Sequence, residues 1–141
     1  MSKLKDVVVP ANYQPTDSED FMSPLMRAFF RGKLLEWKAE IAGQMRGAVE
    51  YLQVERVNHP DPTDVATQNA DRQLELRNKD RLRKLVRKID GALRRIEDGT
   101  YGYCEDTDDP IRVARLIARP IATLSIEAQE LKERGERQRA G

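Results

Sequence analysis

Cysteine, histidine and net charge are all scarce in this chain. Of its 141 residues one is cysteine, Cys104, and one is histidine, His59. No internal disulfide can form, and no cage of cysteines and histidines is available to hold zinc. Lys and Arg number 25 against 24 Asp and Glu, so bulk attraction to nucleic acid or to an anionic membrane is not expected and any electrostatic function must come from local clusters. There is no run of about 18 apolar residues to span a bilayer. The start, Met1-Ser2-Lys3-Leu4-Lys5, lacks an apolar stretch of signal-peptide length, and a soluble cytoplasmic protein is expected. No phosphate-cradling glycine loop or serine triad is present, and no second histidine could pair with the thiol, so an enzyme is not expected. The acidic neighbours of Cys104, which are Glu105, Asp106, Asp108 and Asp109, are expected to raise its pKa and blunt its reactivity.

What the chain does have is charge and helical periodicity. With 39% hydrophobic and 35% charged residues, it is short for two ordinary domains and polar for one compact core, which suits an elongated helical protein. Residues 1–22 mix Pro10 and Pro15 with an acidic Asp17-Ser18-Glu19-Asp20 run and read as a flexible tail with scope for local docking. Ser23 can cap a helix whose first residue is Pro24. From there Leu25, Phe29, Phe30, Leu34, Trp37, Ile41, Met45, Val49 and Leu52 recur every three or four residues along a predicted helix of about 34 residues. Gly32, Gly43 and Gly47 weaken it and are expected to ease close packing.

The segment Asn58-His59-Pro60-Asp61-Pro62 must turn the chain, because residues before proline leave the α region and proline donates no backbone hydrogen bond. Thr63 or Asp64 is expected to cap a second helix with a stripe of Ala66, Ala70, Leu74, Leu82, Leu85, Ile89, Leu93 and Ile96, ending at Asp98-Gly99 after about 35 residues. Two helices of nearly equal length, each with a narrow seam, predict an antiparallel coiled-coil hairpin over residues 23–99 with its tip at 58–65 and a reach of about 50 Å. Residues 100–141 are expected to form a small globular head, irregular over 101–120, with a final helix from near Ala122. The fold class is mainly all-α.

At the tip Asp61 and Asp64 stand three apart. Ordinary turn and capping chemistry accounts for them; so does a stiff rod carrying negative charge into a confined site of low dielectric. Nine basic residues between Arg77 and Arg95 face only Asp80 and Asp90 in sequence. That strip reads either as a solvated helix face or as a surface for a small polyphosphate or an acidic protein. No aromatic residue interleaves with it, which disfavours single-strand stacking. Phe29, Phe30 and Trp37 are assigned to the core.

The tip Pro60-Asp61-Pro62-Thr63-Asp64 with Ala66, the run Leu74-Glu75-Leu76-Arg77-Asn78-Lys79-Asp80-Arg81 and the head sequence Tyr101-Gly102-Tyr103-Cys104-Glu105 together resemble the DksA/TraR family of bacterial RNA polymerase regulators. The resemblance spans roughly Ser23 to the C-terminus. It implies a monomeric factor that inserts its hairpin into the polymerase secondary channel, with Asp61, Asp64 and Ala66 at the functional tip and no sequence-specific DNA contact of its own. It also implies action with the alarmone ppGpp, for which Lys88 and Arg119 match basic positions of the family site; Gln129 stands where lysine is usual. The typical member holds zinc with four cysteines, whereas the corresponding residues here are Cys104, Thr107, Ser125 and Ala128. The chain is similar in this to zinc-independent members, and no bound metal is expected. Two other readings compete. Transcript-cleavage factors of the Gre type also insert an acidic-tipped hairpin, but they place it at the N-terminus before a β-rich domain; a purely structural coiled-coil adaptor would make the tip incidental.

Overall fold

The computed structural model describes residue 4, residues 6–57 and residues 62–140, with the backbone alone at 48–57, 62–65 and 140. Four helices follow one another: α1 (Pro24–Val57), α2 (Pro62–Asp98), α3 (Val113–Ala118) and α4 (Ile126–Ala140). The fold is mostly helical, a coiled-coil hairpin formed by α1 and α2 with a small C-terminal domain. Among the described residues β-pairing amounts to a single isolated bridge between Tyr103 and Pro110.

Local chemistry explains where each helix begins and ends. Ser23 caps α1: its Oγ accepts the Met26 N–H at 3.3 Å and its carbonyl accepts the Arg27 N–H at 2.9 Å. The expected start and the 34-residue length are observed. α2 runs for 37 residues from Pro62, so Thr63 and Asp64 lie inside the helix rather than before it. Proline suits the first helical position, with φ already set and no N–H to leave unpaired. At the other end Gly99 takes φ +81°. The Thr100 N–H reaches the Arg95 carbonyl at 2.9 Å and the Gly99 N–H reaches Ile96 at 3.4 Å, a Schellman closure that needs a left-handed residue. The last helix begins four residues later than the expected Ala122, because Ser125 caps it: Ser125 Oγ accepts the Ala128 N–H at 3.2 Å and Ser125 O accepts the Gln129 N–H at 2.9 Å.

The chain divides into two compact units, one of Leu35–Asp90 and one of Met1–Leu34 with Gly91–Gly141. In the first unit Ile41, Leu82 and Ile89 are buried, and Lys38 Nζ meets Asp90 Oδ1 at 2.7 Å between α1 and α2. Both side chains of that pair are 43% exposed, so solvent screening holds its contribution to a few tenths of a kcal/mol. Part of the α2 stripe is uncovered. Leu74 is 63% exposed and Ala66 and Ala70 are exposed too, while the side chains of Val49 and Leu52 and the turn from Asn58 to Asp61 lie outside the described residues. Gly32, Gly43 and Gly47 ease no packing either: a methyl group would meet nothing within 4 Å at Gly32 or Gly47, and only the Arg46 guanidinium at 3.9 Å at Gly43.

In the second unit Met26, Phe30, Leu34, Ala92, Ile96, Tyr101, Ile111, Val113 and Leu116 form a dry core. It runs straight across residue 100, because the Tyr101 ring packs on Phe30 with centroids 5.5 Å apart and its hydroxyl donates to the Pro120 carbonyl at 2.7 Å. Burial raises the Tyr101 pKa, which keeps that hydroxyl a donor. The segment read from sequence as a flexible tail makes definite contacts in this unit. Pro15 is buried, the Tyr13 ring packs edge-on against Phe29 at 5.6 Å, the Tyr13 hydroxyl donates to Glu19, and Phe21 packs edge-on against Tyr103 at 5.3 Å.

Candidate functional site

The head is built around two backbone loops. In the first, Asp108 takes φ +61° and folds the chain so that its N–H reaches the Cys104 carbonyl, while the Cys104 N–H reaches the Asp109 carbonyl, both at 2.8 Å. Thr107 Oγ1 accepts the Asp109 N–H at 3.3 Å. The second loop ends in the Ser125 cap of α4. The Glu105 N–H donates to the Thr123 carbonyl at 2.9 Å and ties the loops together, and Arg115 Nε holds the Leu124 carbonyl at 2.8 Å.

Cys104 sits between these loops, 1% exposed. Burial pushes its thiol pKa up, but the Thr107 hydroxyl and the backbone N–H groups of Ser125, Thr107 and Asp106 converge on the sulfur and bring the value down to about 7. This corrects the expectation of a raised pKa. The neighbouring carboxylates are exposed and act through solvent, whereas the amide dipoles touch the sulfur directly. Because the folded value lies below the ordinary 9.0, the thiolate stabilises the fold above about pH 9 and loses that contribution as pH falls through about 7. Urea unfolding of the wild type and Cys104→Ala is therefore expected to show a gap that widens from below neutral pH to above pH 9. A gap that does not change with pH would place the thiol outside that range.

The residues expected at the four cysteine positions do not supply the donors that structural zinc takes. One thiol is present; the Thr107 hydroxyl is engaged with the Cys104 sulfur and the Asp109 N–H, the Ser125 hydroxyl is engaged with the Ala128 N–H, and Ala128, 4% exposed, presents only a methyl group. Structural zinc needs four ligands of thiolate or imidazole type. Among the described residues no three His, Cys, Asp or Glu side chains stand together as a metal cluster.

The residues matched to alarmone binding are placed as follows. Lys88 is exposed on α2, in the Leu35–Asp90 unit. Arg119 is exposed at the C-terminal end of α3, where its N–H donates to the Arg115 carbonyl at 2.7 Å. Gln129 is half-buried on α4 and donates to Glu133 Oε1 at 3.0 Å. At the tip Ala66 is exposed on α2; Asp61 lies outside the described residues, and Asp64 is described by its helical backbone alone. Sequence reading missed Asp17, whose Oδ1 accepts the Val113 N–H at 3.0 Å across 96 positions. No local pattern announces so distant a bond.

Comparison with known proteins matches both the hairpin and the head, the head to a family whose members hold zinc. Residues 26–96 match the family described as DnaK suppressor protein DksA, N-terminal domain, and residues 99–134 match the prokaryotic dksA/traR C4-type zinc finger. The chain is 53% identical over 131 residues to the RNA polymerase-binding transcription factor DksA of Caulobacter vibrioides, covering 93% of this chain and 92% of that protein. It is 41% identical over 129 residues to the protein of the same name from Escherichia coli K12, covering 92% and 85%. Among solved structures, transcription factor DksA2 from Pseudomonas aeruginosa superposes with a TM-score of 0.80 at 38% identity, over 85% of this chain and 94% of that one. Hairpin and head are both matched, and the chain belongs to the DksA/TraR family.

Proposed function

We propose that this chain is a transcription regulator that binds bacterial RNA polymerase, carries Asp61, Asp64 and Ala66 into the secondary channel and changes open-complex stability together with ppGpp. The observation that carries this reading is similarity over more than nine-tenths of the chain to relatives named RNA polymerase-binding transcription factor DksA. In this reading the factor makes and breaks no bond. It shifts the population of polymerase conformations through contacts that differ between them. Lys88, Arg119 and Gln129 are the residues assigned to the alarmone: each of the two cations suits phosphate oxygens, and the amide can donate a hydrogen bond. The hairpin of 23–99 does the reaching and the head of 100–141 the anchoring.

The protein works as a monomer in the cytoplasm without contacting DNA directly; no helix among the described residues is long and apolar enough to cross a membrane. We place it among zinc-independent members. The match of 99–134 to a C4-type zinc finger speaks for metal, but a match in pattern does not supply ligands, and a lone thiolate cannot satisfy four-coordinate zinc.

Purified transcription from a ribosomal promoter, with and without ppGpp, tests the reading. Asp64→Asn removes the tip charge and preserves its size. It is expected to bind polymerase with unchanged affinity yet, at saturation, to shift the open-complex equilibrium about tenfold less, the effect of about 1.4 kcal/mol of lost charge interaction in a confined site. Unchanged inhibition would remove the tip from the mechanism, and Asp-dependent transcript cleavage in a backtracked complex would reassign the chain to the cleavage factors.

A further inference from the structure

The segment before the hairpin is built into the same unit as Arg119. α3 has six residues and its N-cap residue, Arg112, makes no side-chain capping bond, so the helix has little to hold it by itself. Val113 and Leu116 anchor one face in the core. At the far end its carbonyls and the following turn are tied down: the Arg119 N–H bonds to Arg115 at 2.7 Å and the Ala122 N–H bonds to the Arg119 carbonyl at 3.0 Å. At the near end the side chain that closes the helix is Asp17, through its 3.0 Å bond to the Val113 N–H. Asp17 is itself held between anchors, with Pro15 buried and Tyr13 on Phe29 to one side and Phe21 on Tyr103 to the other.

We propose that Asp17 is a positioning residue for anion recognition by Arg119: the segment preceding the hairpin caps α3 from outside and fixes the helix whose C-terminal end carries that guanidinium. The inference rests on the reading of Arg119 as an alarmone contact. An α3 released at Val113 loses its first turn, and the orientation of Arg119 is spread over more states, so fewer molecules present the guanidinium correctly to a bound anion. The tip, in the other arm of the mechanism, does not feel the change.

The test uses the full chain with polymerase, titrating ppGpp in purified transcription and following amide exchange over residues 113–119. Asp17→Ala is expected to raise the ppGpp concentration for half of the added inhibition about fivefold and to speed α3 exchange about fivefold, the usual effect of losing one cap. Inhibition without ppGpp should be unchanged. Asp17→Asn keeps the accepting oxygen and should restore both readouts to near wild type. An unchanged ppGpp requirement in Asp17→Ala, with a raised one in Arg119→Ala, would overturn the proposal, as would an equal loss of inhibition with and without ppGpp. If Arg119→Ala itself leaves the requirement unchanged, the alarmone reading fails and the positioning role falls with it.

Discussion

Replacing Thr107, Ser125 and Ala128 together by cysteine is expected to make the stability of the head depend on zinc. Two loops already meet at the one thiol. Cys104 has the amides of Asp106, Thr107 and Ser125 directed at its sulfur, the arrangement that stabilises thiolates, and the two loops are tied by the bond between Glu105 and Thr123 at 2.9 Å. Ala128 is buried, and a sulfur there adds a single heavy atom to its side chain.

A structural zinc site is associated with an apparent binding free energy of about 10–16 kcal/mol at neutral pH, so even a modest fraction of it exceeds any other single change in this molecule. The triple variant should purify with one zinc per chain and melt far lower after chelation. The wild type should carry no stoichiometric zinc and show the same melt with and without chelator. Tightly held stoichiometric zinc in the wild type would refute zinc independence. A triple variant that folds but takes up no zinc would show that the loops are not aligned as a ligand cage.

The helical architecture was legible because it is written in local chemistry. Ser23-Pro24 and Asp98-Gly99 mark helix ends by capping preference and backbone freedom, and three-four periodicity marks the seam. What periodicity cannot register is where the partner stops covering it: Leu74 fits the stripe yet is 63% exposed. The glycines of α1 misled for a related reason, since a small residue is as compatible with open solvent as with a close neighbour. The head resisted more. The pKa of Cys104 depends on amides brought to it by folding, and its acidic sequence neighbours pointed the wrong way. Asp17 looked like part of an acidic tail because its partner is 96 positions distant. The residues alone showed a stalk carrying Asp61 and Asp64, which turn chemistry explains equally well; the channel and the alarmone positions came from resemblance.

Gly102→Ala is expected to be the most destabilising single methyl addition in the head, costing roughly 2–5 kcal/mol as two penalties combine. Gly102 has φ +90°, and an added Cβ would lie 2.9 Å from Met22 Cε and 3.0 Å from Phe21 Cζ. The methionine terminus can swing away. The phenylalanine has less room, because its ring is packed edge-on against Tyr103 at 5.3 Å. The Gly102 carbonyl also accepts the Ile111 N–H at 2.7 Å, so the backbone cannot rotate out of the left-handed region without giving up that bond.

Gly99→Ala provides the control. It shares the left-handed φ, +81°, but a methyl there meets nothing within 4 Å, so its cost should be the conformational part alone, about 1–2 kcal/mol. Urea unfolding of the two variants separates strain from crowding by difference. If both cost the same, the segment before the hairpin does not press on Gly102 as described. If Gly102→Ala costs more and Phe21→Ala in the same background recovers part of the loss, the crowding comes from that segment, and the contact that shields the Tyr101-Gly102-Tyr103 turn is also one of the anchors holding Asp17 against α3.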